Sequence, residues 1–441
     1  MNATGSSIFT RTTAPWKAQL LTGALILCQT HITTAQDESE LTPIPSPDTE
    51  PAATIEEVIA EGEAIRVNDS TNENPEAARI AERQRQEGQT APDEQAPSWE
   101  LDLYGSVRLH AINTYNIEDD RTDHKLGDGA SRIGVSVSWE IKENWDIFGR
   151  LESGFDVLDT FTSKGQGSDD GQIRLANIGL DSEHVYLKLG KSWSAYYTVA
   201  GAADRFAIFG GDATGAYNAG TDGGASGTGR ADDSLQTNFY IDTKNWASIK
   251  PFNVNLQYSL GQPIPEVKGE DYDYNWGLSA WLENDSRVGV GLAYHRAAVG
   301  NPEAAAVRAA GIEGDATAAS IAFKSYGNKW LASLVLSKLD YIETTDRNLY
   351  FRGKGAELFA QWQFARDFWL VGGGNWLIPD DDQTLAGDYQ VKYGVVGVHY
   401  SIDSFNRMLY VEWKDDHSRL TDGRSLKNEF TLGIRWDLGY E

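Results

Sequence analysis

Apolar and polar residues alternate one for one along much of this chain. Phe252, Val254, Leu256, Tyr258 and Leu260 are separated by Asn253, Asn255, Gln257 and Ser259. Ile133, Val135, Val137, Trp139 and Ile141 alternate with Gly134, Ser136, Ser138 and Glu140, and Phe430 to Leu438 repeats the scheme near the end. A period of two puts one set of side chains on each face of a β-strand. About sixteen such segments begin near residues 101, 131, 145, 171, 184, 234, 251, 273, 286, 316, 329, 352, 367, 389, 406 and 426. Short polar turns, such as Lys142-Glu143-Asn144 and Ala365-Arg366-Asp367, take turns with longer loops at 117–130, 262–272, 297–315 and 379–388. That order predicts an all-β, up-and-down antiparallel meander.

Strands of soluble sandwiches usually run to five or six residues. These run nearer to ten, about the length that crosses a bilayer at roughly 45° tilt. Trp145, Trp330, Trp369, Trp376, Trp413 and Tyr440 fall at strand ends, as interfacial girdles would. A closed transmembrane barrel also removes exposed sheet edges and leaves no backbone group unpaired in lipid. A soluble β-sandwich or propeller is the competing architecture. Segments 171–180 and 329–340 carry apolar residues in both registers, as strands in contact with a neighbouring subunit or an inserted loop would.

Composition changes this picture less than it first suggests. The 441 residues hold 38 Lys+Arg against 65 Asp+Glu, a net charge of −27, with 40% hydrophobic residues and a mean hydropathy of −0.44. The acidity argues against a nucleic-acid partner, since phosphate binding draws on a basic surface. The polarity excludes helical membrane spans, but a barrel shows lipid only every second strand residue. Cys28 is the single cysteine, so no disulfide framework, Cys-based metal site or thiol nucleophile exists in the body of the chain. None of the seven His sits in a hydrolase or metal motif. Neither an enzyme nor a cofactor is expected.

Residues 1–35 read as a signal peptide: Arg11 and Lys17 precede a short apolar core, Leu20 to Cys28, and Thr33-Thr34-Ala35 offers small residues for cleavage. A lipoprotein signal ending at Cys28 is the alternative, weakened by the bulk of Leu27. Residues 36–98 hold 16 acids and 4 Arg and no Phe, Trp or Tyr. Such a segment cannot bury enough apolar surface to order itself, which predicts a disordered acidic periplasmic spacer. A short helical pair over 53–67 and 75–87 that binds a cell-wall or periplasmic partner is the other reading. With +2 in the leader and −12 in the spacer, residues 99–441 carry −17 of the −27.

Residues 191–233 form a long Gly-rich insertion that contains Trp193, Tyr196, Tyr197, Phe206, Phe209 and Tyr217. A solvated loop gains nothing from those rings, so the insertion is expected to fold inward and narrow a lumen that sixteen strands leave water-filled. The inward register brings Arg108 and His110, Arg132, and Arg150 with Glu152 to the facing wall, where rings of charge set selectivity. The bland reading is that these charges only line a wet lumen. The acid runs Asp169-Asp170, Asp232-Asp233 and Asp380-Asp381-Asp382 are either solvated loop charge or cation sites at a lipopolysaccharide surface.

At this point the sequence resembles the trimeric general diffusion porins of Gram-negative outer membranes. LDLYGSVRLH looks like their first strand, SRIGVSVSWEI, IRLANIGL and VYLKLGKSWSAYY like their second, fourth and fifth, and FGGD (Phe209, Gly210, Gly211, Asp212) like their constriction loop. The closing TLGIRWDL, with Gly433, Trp436 and Leu438, resembles the signal read by the barrel-assembly machinery, although Gly-Tyr-Glu follows it here. The resemblance covers about residues 99–438 and implies a 16-stranded, homotrimeric outer-membrane barrel (99–441) among lipid and lipopolysaccharide, a channel for ions and small hydrophilic solutes. Carried over, it puts Arg132, Arg174 and Arg230 in a basic constriction cluster, Glu152 beside it and Asp212 on the loop. Ser106 takes the place of a first-strand lysine, with Arg108 as its nearby substitute. Ala207-Ile208 fills the place of a loop carboxylate, which leans the expected weak selectivity towards anions. A structural protein tethered through 36–98 is the alternative function.

Overall fold

A computed structural model describes residues 99–116, 121–158, 172–182, 185–217, 221–243, 249–403 and 406–439. The signal peptide and spacer expected at 1–35 and 36–98 lie outside the described residues. All described residues fall in one compact unit, Ala64–Glu441. They form one antiparallel sheet: β1 (Trp99–Asn116), β2 (Arg121–Asp128), β3 (Arg132–Lys142), β4 (Trp145–Gly154), β5 (Ile173–Ser182) and β6 (Val185–Trp193) come before the long insertion. After it come β7 (Arg230–Ile241), β8 (Phe252–Pro263), β9 (Asp271–Glu283), β10 (Val288–Val299), β11 (Ala316–Gly327) and β12 (Trp330–Thr344). The last five are β13 (Tyr350–Ala365), β14 (Phe368–Pro379), β15 (Val391–Asp403), β16 (Arg407–Asp416) and β17 (Asn428–Leu438).

Apart from β2 and β3, which both lie on β1, each strand pairs with its chain neighbours, and β17 returns to pair with β1, Gly105 opposite Leu438 and Ile112 opposite Thr431, so the sheet closes. The sixteen wall strands start within a few residues of the positions that the alternation gives. The seventeenth is a correction to the expected loop 117–130. β2 folds back on the second half of β1, Leu109 opposite Asp128, while β3 pairs with its first half. Together β2 and β3 make one wall position, broken at Gly129-Ala130-Ser131, where Ala130 has a φ of +67°. RTDHKLGD lacks the apolar alternation because a strand that projects past the lipid needs none; backbone pairing with β1 holds it, together with Asp128, which accepts from the amides of Ser131 (2.6 Å) and Val157 (3.2 Å).

Outward residues are apolar and uncovered: Leu103 is 71% and Ile133 62% exposed, as a wall that faces hydrocarbon must be. Trp145, Trp330 and Trp413 point outward at strand ends, but Trp369 does not: it is buried on the inner face. Among the described residues no helix is long and apolar enough to cross a membrane. The apolar core is unusual for a barrel because it lies inside. Leu331, Val335 and Leu339 of β12 point inward and pack with Tyr196, Val199 and Phe206 of the insertion. On the other side, Leu175 of β5 packs with Trp193 and Tyr197. These contacts account for the two segments with apolar residues in both registers.

Gly433 in the closing strand has a steric duty. A Cβ there would lie 2.2 Å from the Tyr410 hydroxyl and 2.7 Å from the carbonyl of Leu109, so the Tyr410 ring of β16 lies over the glycine. Gly433→Val should cost about 1–3 kcal/mol, the usual range for overpacking, and lower the temperature at which the barrel loses its compact migration on a heat-modifiability gel. Tyr410→Ala in the same chain should recover part of that loss. Equal melting of G433V and the parent would refute the assignment.

Candidate functional site

The insertion between β6 and β7 runs from Ser194 to Gly229 and crosses the lumen along the inner wall. It opens with a short helix, α1 (Tyr197–Ala200). The Tyr196 hydroxyl donates to the carbonyl of Thr214 (2.7 Å) and pairs with Ser320 (2.6 Å). Trp281 Nε1 donates to the carbonyl of Thr198 (2.7 Å). Gln257 binds both ends of the insertion, accepting from the amide of Ala195 (2.9 Å) and donating to the carbonyl of Gly227 (3.0 Å). The loop therefore lies against β8 to β11 before its tip reaches further round.

The tip is gripped by three wall residues. The Glu412 carboxylate accepts from the amides of Ala207 (2.8 Å) and Ile208 (3.4 Å) and pairs with His399 (2.9 Å). Glu357 accepts from the amide of Gly211 (2.8 Å). Tyr393 accepts from the amide of Gly210 (3.2 Å) and donates to Asp212 Oδ2 (2.6 Å). Glu357 and Glu412 are wholly buried, whereas Asp212 is exposed. The FGGD turn needs its glycines: Gly210 and Gly211 have φ of +117° and +77°, a region L side chains avoid. Phe209 is buried beneath Lys414, whose Nζ lies 5.4 Å from its ring centre. Loop and wall touch most closely at Gly355, where a Cβ would be 1.7 Å from the carbonyl of Ala213.

The other wall is basic. Glu152 lies between two guanidiniums, Arg174 Nε at 2.8 Å and Arg150 at 3.3 Å. Arg150 also donates to the Tyr104 hydroxyl (2.6 Å) and covers its ring. Arg132, almost wholly buried, stands on the adjacent strand, opposite Gly154. Arg108 donates through Nε to Ser106 (2.8 Å), Ser106 to Asp437, and Arg435 to Asp437 (2.6 Å), so a polar chain runs across the β1–β17 closure. Arg108 also faces the loop tip: a Cβ on Gly129 would sit 3.2 Å from both Arg108 Cβ and Ile208 Cδ1. Towards the short-turn end the inward register becomes acidic, with Asp102, Asp146 and Asp181.

The structure gathers Arg108, Arg132, Arg174 and Glu152 on β1 to β5, and Arg230 opens β7 opposite Trp193. At the exit of the insertion Arg230 pairs with Asp222 (3.2 Å) and covers the Trp193 ring at 5.2 Å, and Lys191 joins Asp222 at 3.2 Å. Burial would raise the Asp222 pKa, but Arg230 and Lys191 outweigh it and hold the carboxyl below its ordinary range. The stability this knot adds is thus present above the ordinary carboxylate pKa and lost only as the pH falls through the depressed one. Trp436 and Leu438 face outward and exposed, beside the glycine already described. Sequence reasoning missed Glu357, Tyr393, His399 and Glu412; in sequence they are ordinary lumen-register residues, and only the loop's path gives them a partner.

Comparison with known proteins bears on this arrangement. A family model described as Gram-negative porin matches residues 88–439. No curated protein matches the sequence. Among solved structures, OmpF of Salmonella typhi in complex with daunomycin superposes with a TM-score of 0.61 at 18% identity, over 77% of this chain and 97% of its own. An anion-selective porin from Comamonas acidovorans gives 0.57 at 14%, over 77% and 100%. In-vitro folded OmpT of Vibrio cholerae, in a trimer form, gives 0.52 at 14%, over 77% and 100%. At such identities the likeness is one of fold.

Removing the grip should free the tip. Glu412→Ala leaves two amides without their acceptor, at about 1–3 kcal/mol each if they stay buried, so the tip should leave the wall part of the time. Single-channel recordings should show added flicker and a changed mean conductance, with Glu412→Gln intermediate. Records indistinguishable from the parent would show that the tip is held by its packing alone.

Proposed function

From a chain that belongs to the Gram-negative porin family, and so is a channel protein of the outer membrane and not an enzyme, we propose a water-filled pore that passes ions and small hydrophilic solutes passively with a weak preference for anions. The observation that carries the preference is the unequal use of charge around the loop. Arg150 and Arg174 share Glu152 and Arg435 pairs with Asp437, with Arg108 and Arg132 on the same stretch of wall, while Glu357 and Glu412 bind loop amides. Asp212 is left as the exposed acid of the FGGD tip. Surface charge further off contributes little, since screening sets in beyond about 8 Å at physiological salt. The acids at the short-turn end keep the preference weak.

We also propose that the barrel assembles as a homotrimer, as the Vibrio cholerae OmpT trimer form does. A second reading, a tether to the cell wall through 36–98, rests on the 16 acids of that segment. It requires that deleting 36–98 alter envelope integrity while conductance stays intact.

Reversal potentials across a planar bilayer under a salt gradient test the pore directly. A unit charge 4–8 Å from the ion path is worth about 0.5–1 kcal/mol in water, which is roughly two- to sixfold in a permeability ratio. Arg108→Gln should move the ratio that far towards cations and Asp212→Asn towards anions. Strong cation preference in the parent would sink the charge assignment, and absence of any conductance would sink the pore. Closures in groups of three would support the trimer.

A further inference from the structure

The two ends of the insertion come together at the inner face of β8 to β10, where Ser226 and Gly227 form part of its returning arm. Further round, the insertion meets the wall through apolar contact, with Tyr196 and Val199 among residues such as Ala297, Ala318 and Leu339. Here the seam is polar. Gln257, Ser259, Asn275, Ser279 and His295 are all buried in it, and Gln257 Nε2 donates to the carbonyl of Gly227 (3.0 Å) and to Asn275 Oδ1 (3.2 Å). His295 Nε2 bonds to the carbonyl of Ser226. A carbonyl can only accept, so Nε2 carries the ring proton, and Nδ1 of the neutral imidazole is then an acceptor.

His295 Nδ1, Asn275 Nδ2 and Ser259 Oγ have no hydrogen-bond partner among the described residues, although each of the three residues is 0% exposed. They are neighbours on the sheet. Ser259 stands directly opposite Asn275, and Gly277, two residues on from Asn275 along the same face, stands opposite His295. Two glycines keep side-chain bulk out of the space they share. A Cβ on Gly277 would lie 3.0 Å from His295 Nδ1, and one on Gly227, whose φ is +80°, would lie 2.9 Å from Asn275 Nδ2. Buried polar groups in native proteins are paired as a rule, because an unpaired one carries its full desolvation cost.

We propose that this seam binds a buried water, which accepts from Asn275 Nδ2, donates to His295 Nδ1 and completes its bonding with Ser259 Oγ. The donor and acceptor set selects that ligand. An amide N–H disfavours a cation, an imidazole lone pair disfavours an anion, and a small molecule that both donates and accepts satisfies the two together. About three partners is the usual complement of a buried water, and a seam closed to solvent excludes larger polar solutes. The water ties β8, β9 and β10 together beneath the arm that Gln257 and His295 hold, so it belongs to the base on which the insertion stands. His295 is thereby a positioning residue for the loop, bonded to the arm through Nε2 and to the wall through Nδ1. The assignment rests on the fold alone and is independent of what the pore conducts.

A crystal structure of the folded protein at a resolution that shows ordered solvent tests the site directly. Density should lie within about 2.7–3.2 Å of Asn275 Nδ2, His295 Nδ1 and Ser259 Oγ. Direct contact of the Asn275 amide with the imidazole, with no density between them, would overturn the proposal. A double-mutant cycle gives a measure that needs no crystal. Ser259 and His295 stand on strands separated by β9, so a shared water is the means by which they couple. His295→Gln keeps a donor where Nε2 stands and lacks the Nδ1 acceptor, and Ser259→Ala removes only the hydroxyl. In reversible urea unfolding from lipid vesicles, the second substitution should cost less than it does alone, by on the order of tenfold in the unfolding constant, as for residues that share a partner. Effects that multiply to within about twofold would mean that the two groups hold no common water. Neither measurement reads current, so a barrel without conductance would end the pore reading and leave the water site to stand or fall by itself.

Discussion

Backbone hydrogen bonding in a medium without water governs everything else in this molecule. A strand that enters hydrocarbon must pair along both edges, because each unpaired amide or carbonyl there costs several kcal/mol. Closure of β17 on β1 is therefore a condition for the wall to exist in lipid. Once the wall is closed, inner and outer registers belong to different solvents. That separation lets one strand carry Leu101 and Leu103 on one side and Asp102 and Tyr104 on the other. It also reconciles a net charge of −27 with a membrane protein: many acidic side chains occupy loops and lumen, and the lipid-facing register is largely apolar.

The wall was legible in sequence because the period-two pattern follows directly from that two-solvent division. Where only one solvent is present the signal vanishes. β2 stands clear of the lipid, so RTDHKLGD shows no alternation and reads as loop. Trp369 sits near a turn, where sequence position suggests a girdle, yet its register turns it inward; position along a strand and facing are separate facts, and only the second depends on pairing. In the same way, apolar residues in both registers of β5 and β12 blurred the alternation, and they mark where the insertion replaces lumen water with protein.

The site was legible in half. Arg108, Arg132, Arg174, Glu152 and Asp212 stand at positions where register or resemblance to other sequences finds them. Arg230 does too, paired there with Asp222 and the Trp193 ring at the loop's exit. The residues that position the loop were invisible, since Glu357 and Glu412 look like any lumen-facing acids until a chain 146 and 205 residues away in sequence presents its amides. A non-local contact of that kind leaves no periodic trace.

Holding the loop and setting the field draw on the same carboxylates. A loop of about 36 residues bent across a water-filled lumen loses much conformational freedom, and its tip amides must find acceptors once packing takes them from water. Wall carboxylates meet that need well, because hydrogen bonds to an ionised acceptor are about twice as strong as neutral ones. But a carboxylate buried beneath the loop, bonded to two amides and a histidine as Glu412 is, presents little field to a passing ion. The arginines of β1 to β5 stand in the lumen register. The more firmly acids seat the insertion, the more the electrostatic balance of the passage rests on the basic wall, and that division is the basis of the anion preference proposed for this acidic protein.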